Sequence, residues 1–281
     1  MLGINTNAAS LTAQTNLSKS SGSLETSIAR LSSGVRVNSA KDDAAGLAIA
    51  ERMTAQIRGS DVATRNANDG VSLLQVADGA LSKISDNMQR MRELSVQAKN
   101  GTLNSTDRSN LNREYQELSS EITRISTGTT FNSNAVFSSA NKSVSMQVGT
   151  ANATTDTLTL NLTDTGAAGG NDLQTLLTAT GFGAIDSVAN ATTAITNLDA
   201  NINTVTNLRA TVGAGLSRLE QVASALESSS ANLSSARGRI MDADFAKETA
   251  NMTRAQILQQ AGTAMLAQAN QLPNNVLSLL R

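Results

Sequence analysis

From Ile195 to Ile240 an apolar residue returns at every seventh position without a miss: Leu198, Val205, Val212, Leu219, Leu226, Leu233 and Ile240. A repeat of seven sustained over that length marks a coiled-coil seam, because seven residues bring a slightly underwound helix back to the same face after two turns. A second line at the partner heptad position, Ile195, Ile202, Leu216 and Ala223, is interrupted by Arg209, Ser230 and Arg237, while Asn, Ser, Thr and Gln fill the other faces. No proline breaks the segment, which at about 1.5 Å per residue is roughly 70 Å long, more than a compact domain can hold. A helix cannot bury such a stripe by itself, so the remaining chain must cover it. The fold class that follows is mainly α: an elongated antiparallel coiled-coil or helical-bundle rod.

Other segments carry matching patterns. Leu17, Leu24 and Leu31 stand seven apart, interleaved with Ser21, Ile28 and Val35, which gives a seam helix near the start. Residues 34 to 44 are polar and read as a spoke between layers, with Ser39 or Asp42 placed to cap the next helix. Leu47, Ile49, Met53 and Ile57, then Leu74, Leu81 and Met88 with Ala77, Ile84, Met91 and Ala98, predict a second long helix, kinked or interrupted near Asn66 to Gly70. Gly101 suits a left-handed helix stop. Ser105 or Thr106 can open a third helix with the stripe Leu111, Tyr115, Leu118, Ile122 and Ile125, ended by Gly128. The period then changes to two. Val144, Met146 and Val148, and Leu158, Leu160 and Leu162, predict a small β-hairpin turning between Gly149 and Asp156, followed by a flexible Gly166 to Gly170 loop. In a last helix Ala255, Gly262 and Ala269 alternate with Leu258, Met265 and Leu272, and Pro273 is placed in the first turn of a further short helix.

Composition removes most alternatives. Cysteine and histidine are absent, so there are no disulfides, thiol nucleophiles, commonest metal ligands or usual near-neutral base, and no enzyme is expected. Aromatic content of 2% leaves little material for a thick spherical core. A formal charge of −1 provides no basic field for nucleic acid or anionic lipid. The first basic residue is Lys19 and no apolar run approaches a membrane span, which predicts neither a secretory signal nor a membrane segment. Asp42-Asp43 and Asp242/Asp244 sit at helix starts, where carboxylates cap and complement the dipole. Asn66-x-Asn68-x-Gly70 lacks the acidic first ligand and glycine spacing of a calcium loop. No phosphate-cradling glycine motif occurs, and no cofactor or metal is expected.

The stretch LSSGVRVNSAKDDAAG from Leu31 to Gly46 closely resembles bacterial flagellin. NTNAASL near the start, RNANDG at 65 to 70 and AQILQQAGTAMLAQANQLPNNVLSLLR from Ala255 to Arg281 resemble it too, leaving only about 140 to 190 unmatched. The resemblance implies a subunit of the flagellar filament, secreted and extracellular: 1–44 plus 240–281 as a terminal coiled-coil layer, 45–139 plus 190–239 as a helical bundle, and 140–189 as a short variable insertion at the outer surface. It further implies polymerisation with other copies of itself for motility, export through the flagellar apparatus with a secretion chaperone on roughly 240–281, and hook–filament junction and filament cap proteins as partners. The residues expected to carry polymerisation are Leu17, Leu24, Ile28, Leu31, Val35, Leu258, Met265 and Leu272, since terminal seams without a sufficient partner should fold on assembly.

The stretch from Gln89 to Gln97 resembles the motif by which agonist flagellins are recognised by a host Toll-like receptor, with Gln89, Arg90, Glu93, Leu94, Gln97 and, from the next helix, Glu114 as its residues. Arg90, Leu94 and Gln97 lie three and four apart and would share an outward face. The bland reading is that Arg90 forms only local ion pairs. Three other identities compete with the filament subunit. A hook–filament junction protein shares the terminal layout but is not expected to keep the whole C-terminal run; a flagellin with a zinc-peptidase insert requires histidines that the chain lacks; a helical signalling or adhesion rod fits the periodicity alone.

Overall fold

The structure, a computed structural model, describes residues 7–137, 143–151, 153–161 and 182–279, with side chains as far as Gln271. The Gly166 to Gly170 loop, Leu162 and the side chain of Leu272 lie outside that description. Five long helices occur among the described residues: α1 (Ala8–Ser33), α2 (Ala44–Ala98), α3 (Ser105–Gly128), α4 (Val188–Met241) and α5 (Phe245–Leu279). The strands are β1 (Thr130–Phe131), β2 (Asn134–Ala135), β3 (Ser143–Gln147) and β4 (Thr157–Asn161), in two antiparallel pairs. The mainly α reading with a small β region holds.

Local chemistry sets the helix ends. The Asn7 side chain accepts from the Ser10 N–H, and α1 stops where Gly34 turns left-handed at φ 73 and donates its N–H to the Arg30 carbonyl. Asp42 does not cap α2; its carboxylate takes the N–H groups of Asn38 and Ser39 and the Ser39 hydroxyl, forming a turn, which lowers its pKa. The cap is Asp43, whose Oδ1 accepts from Gly46 N at 2.8 Å. Asn104, rather than Ser105 or Thr106, opens α3, in a reciprocal capping box with Asp107. Gly101 is not left-handed.

Two expected breaks are absent. α2 runs unbroken through Asn66–Gly70, because burial of Ala67 and Gly70 offsets the weak helix propensity of that stretch. α5 runs through Pro273 to Leu279. A helical proline leaves the carbonyl four residues earlier without its donor. Here that carbonyl belongs to Ala269, and Asn7 Nδ2 donates to it at 2.8 Å.

The chain divides into two compact units, Met1–Ile57 with Ala231–Arg281, and Arg58–Ser230. Both borders fall within helices, α2 and α4, so neither coincides with the spoke at 34–44. In the second unit α2 and α4 run antiparallel, as Arg92 Nε bonds Asp199 at 2.6 Å, Arg209 Nε bonds Asp78 at 2.9 Å, and the Ser230 hydroxyl bonds Asp61 at 3.3 Å. Between them lies a core of Leu74, Leu81, Ile84, Met88 and Met91 against Leu198, Val205, Leu208, Val212 and Leu219. Thus the first four residues of the expected α4 seam are buried. Leu226, Leu233 and Ile240 are only half-buried.

β3 and β4 pair Val144 with Leu160 and Met146 with Leu158, which puts these residues on one face. That face is not an outer appendage, because Met146, Val148, Leu158 and Leu160 all belong to the same core as the helices. The close approach needs glycine: a β-carbon on Gly70 would lie 2.1 Å from Met146 Sδ, and one on Gly215 would lie 3.1 Å from Leu160 Cδ2. Phe182 and Ile185, just before α4, also enter the core. Tyr115 of α3 is fully buried beneath them and donates its hydroxyl proton to the Phe182 carbonyl. Burial pushes its phenol up to about 12, against a smaller opposing pull from the Ser95 hydroxyl.

Candidate functional site

The first unit is built on α1 and α5, which pair antiparallel. Ser10 Oγ meets Asn270 Oδ1 at 2.7 Å at one end, and Ser27 and Arg30 meet Glu248 at the other. The buried line on α5 is Glu248, Ala255 and Ala269, with Gly262 half-buried between them, again spaced by seven. A β-carbon on Gly262 would stand 3.2 Å from Leu17 Cδ1, so a small residue there admits the leucine. Leu17, Leu24, Leu31 and Val35 are half-buried, in keeping with a face turned partly toward α5.

Glu248 is the member of this line that apolar periodicity misses. Its carboxylate accepts from Arg30 Nη1 at 3.0 Å, Asn251 Nδ2 at 3.0 Å and Ser27 Oγ at 3.3 Å. The Asn251 bond, then Arg30, hold its pKa below the ordinary glutamate value. The signal was in the spacing: Glu248 extends the Ala255, Gly262, Ala269 series by one heptad. A polar residue in a seam position is the usual mark of a register determinant.

The large residues of α5 flank that line and stay open to solvent. Leu258 is 51% exposed and Met265 64%, while Ile257 and Phe245 are also exposed. Leu11 and Ile28 of α1 are exposed likewise, Ile28 at 48%. The alternation of small and large residues therefore sorts into two faces: the small line packs inside the unit and the large line faces solvent.

A separate constellation lies on the second unit. Gln89, Arg90, Glu93, Gln97 and Glu114 are all exposed. Arg90 makes a fork to Glu114, Nε at 3.0 Å and Nη2 at 2.9 Å, and reaches Glu93 through Nη1 at 2.9 Å. These pairs, Glu93 first, raise the Arg90 pKa. Leu94 departs from expectation. It is 1% exposed and belongs to the core, so it does not share an outward face with Arg90 and Gln97. α3 is the reason: by packing beside α2 it widens the buried arc there to Met91, Leu94, Ser95 and Ala98.

Among the described residues no group of acidic side chains is arranged to hold a metal, and no helix is long and apolar enough to cross a membrane. A family model described as "Bacterial flagellin N-terminal helical region" matches residues 4–142, and one described as "Bacterial flagellin C-terminal helical region" matches residues 195–280. The chain belongs to the flagellin family. A flagellin of Halalkalibacterium halodurans is 43% identical over 278 residues, covering 99% of both chains, and one from Xenorhabdus nematophila is 41% identical with the same coverage. The crystal structure of Bacillus cereus flagellin is 36% identical with a TM-score of 0.50, covering 57% of this chain and 88% of that one. As a flagellin, this chain is a structural filament subunit that self-assembles, and not an enzyme. Members of the family form the bacterial flagellar filament, an extracellular structure. Between the two matches, the described residues of 143–194 hold the β3–β4 pair and the start of α4, and several of them, Met146, Leu158, Leu160 and Ile185 among them, belong to the core.

Proposed function

We propose that this flagellin polymerises through the outward face of its paired terminal helices, with Ile28, Leu258 and Met265 covered by neighbouring copies. The observation that supports it is the exposure of those residues, with Leu11, Ile257 and Phe245, on helices already joined to each other by their small-residue line. Burying a large apolar side chain is worth about 1.5–3 kcal/mol, so a few of them repeated along a polymer can offset the ordering of the ends. The chain is secreted and reaches the filament through the flagellar export apparatus. A secretion chaperone holds roughly 240–281 beforehand, and junction and cap proteins bound the filament. Removing 255–281 should leave a soluble helical protein unable to extend filament seeds under the electron microscope. Normal filaments from the shortened chain would refute the assignment.

A second reading rests on the Arg90 fork. We propose that monomer is recognised by a host Toll-like receptor through Gln89, Arg90, Glu93, Gln97 and Glu114, with Leu94 supporting the helix from inside rather than touching the receptor. Arginine is favoured in interface hot spots, and its two glutamates present it in a fixed orientation. Arg90→Ala should weaken activation of receptor-bearing cells. Undiminished signalling at equal folded concentration would count against it.

A further inference from the structure

Methionine is the chain's only sulfur-bearing residue, and its eight copies are unequally placed. Met88, Met91 and Met146 are buried in the second unit, and Met53, Met241 and Met252 are half-buried. Met265 is the one exposed thioether among the described residues, and it stands seven positions beyond the exposed Leu258. Its surroundings are also unusual in charge. No acidic or basic residue occurs from Ala255 to Leu280, nor from Ala8 to Ser18 on α1, which pairs with α5. Its side chains are apolar, amide-bearing or hydroxyl-bearing, and none is charged.

We propose that Met265 is an oxidation site that halts assembly, the oxidant being a peroxide; this rests on the reading that its face is covered by a second copy. The sulfur lone pair attacks one peroxide oxygen, the O–O bond breaks, the sulfur takes up that oxygen as a sulfoxide, and water leaves. Sulfur is oxidised by two electrons and the peroxide reduced by two. The product exchanges a flexible apolar side chain for one with a strong hydrogen-bond acceptor. In water the new oxygen is solvated. Against a neighbouring copy of the same charge-free segment it meets no cation, so covering it strips its water for at best an amide or hydroxyl partner. Oxidised monomer should therefore stay folded, because Met265 is 64% exposed and outside the buried line Glu248, Ala255 and Ala269, yet fail to add to a filament end. Reduction of the sulfoxide restores the original residue, which makes the block reversible.

The test treats full-length monomer and preformed filaments with hydrogen peroxide in parallel, locates oxygen by peptide mass, and follows seeded elongation. In monomer Met265 should oxidise at least fivefold faster than Met88, Met91 or Met146, helical circular dichroism should be unchanged, and elongation should slow at least tenfold. Methionine sulfoxide reductase should restore it. For Met265→Leu, each preparation is compared with itself, and peroxide should leave its elongation rate unaltered, whatever that rate is. Full-rate elongation by chains carrying Met265 sulfoxide would overturn the block, as would equal peroxide sensitivity in Met265→Leu. If Met265 oxidises as fast within filaments as in monomer, the covered-face reading itself falls. Protection in filaments with undiminished elongation of oxidised monomer would sink only the block.

Discussion

Tyr115 is the only tyrosine and the chain has no tryptophan, so its phenol can be titrated without spectral interference. Raising the pH is the perturbation. The phenol is pushed from the ordinary 10 to about 12 by burial, and its proton is given to the Phe182 carbonyl, which further favours the neutral form. An acid whose folded pKa lies above its unfolded value contributes stability in full below pH about 10. It loses that contribution as pH rises from about 10 to about 12, because the unfolded chain ionises first and gains the more by doing so. At about 1.4 kcal/mol per pKa unit, a shift of two units amounts to about 2.8 kcal/mol when complete. Urea melts at intervals over this range, run on the native chain and on Tyr115→Phe, give the contribution by difference and remove the lysine titrations common to both. The native protein should show the extra slope and the variant should not. In parallel, phenolate absorbance of the folded protein should appear only near pH 12. A midpoint near 10 while helical dichroism is intact would refute the argument, since it would mean that α3 does not seal Tyr115 beneath Phe182.

Other expectations concern the same framework. Leu219→Ala should destabilise by about 2–5 kcal/mol in denaturant melts, while the half-buried Leu226→Ala should cost less than half as much; equal losses would show that the α4 seam is uniformly covered. Excising 150–185 removes Leu158, Leu160, Phe182 and Ile185 from the core, roughly 6–12 kcal/mol of burial at about 1.5–3 kcal/mol each, comparable with a whole domain's stability. The shortened chain should therefore not fold cooperatively, and a sharp melt would overturn that. Glu248→Ala should cost about 1–3 kcal/mol by leaving Ser27, Arg30 and Asn251 without their acceptor. Because the Glu248 pKa is lowered, its contribution is present above the ordinary glutamate value and fades as pH falls through the folded one, which the variant's flatter acid melt should show. Asn7→Ala should increase hydrogen exchange in the α1–α5 pair, and do so much less in a Pro273→Ala background, where Ala269 regains its own donor.

The legible parts of the sequence were those where one face meets one partner. Leu198, Val205, Val212 and Leu219 are buried as their spacing of seven requires, and the two-residue alternation at 144–148 and 158–160 found β3 and β4. Periodicity failed where a third element intrudes, as at Leu94, because a spacing rule for two helices cannot know that α3 lies alongside. It also failed where a side chain answers a backbone need at a distance. Pro273 reads as a helix start until Asn7, at the far end of the sequence, is seen on the Ala269 carbonyl. The β1–β2 pair was too short for any alternation to register, although Asn132 at φ 48 and Ser133 at φ 65 form the two-residue turn that such a hairpin needs. Of the assembly residues, the heptads located the terminal seams but not their orientation. On α5 the small line is buried within the unit, while Leu258 and Met265 beside it are exposed.

That division has a physical cause. Two helices that meet through Ala255, Gly262 and Ala269 approach closely without needing a large apolar contact, and fixed points at each end hold their alignment: Glu248 with Ser27 and Arg30, and the Ala269 carbonyl with Asn7. A slide by one turn would separate both sets at once and leave a carboxylate and a carbonyl unpaired. The pair's register is thus set mostly by directional bonds, which specify geometry more than they add net stability. The large side chains Leu258 and Met265 of α5 are left free for another surface. If Leu258 and Met265 had instead been spent inside the pair, the terminal helices would be more stable alone and would have less to gain from a neighbour. A subunit whose ends are aligned but only weakly sealed gains most of its remaining burial when it adds to a filament, and that difference between free and added states is what drives addition.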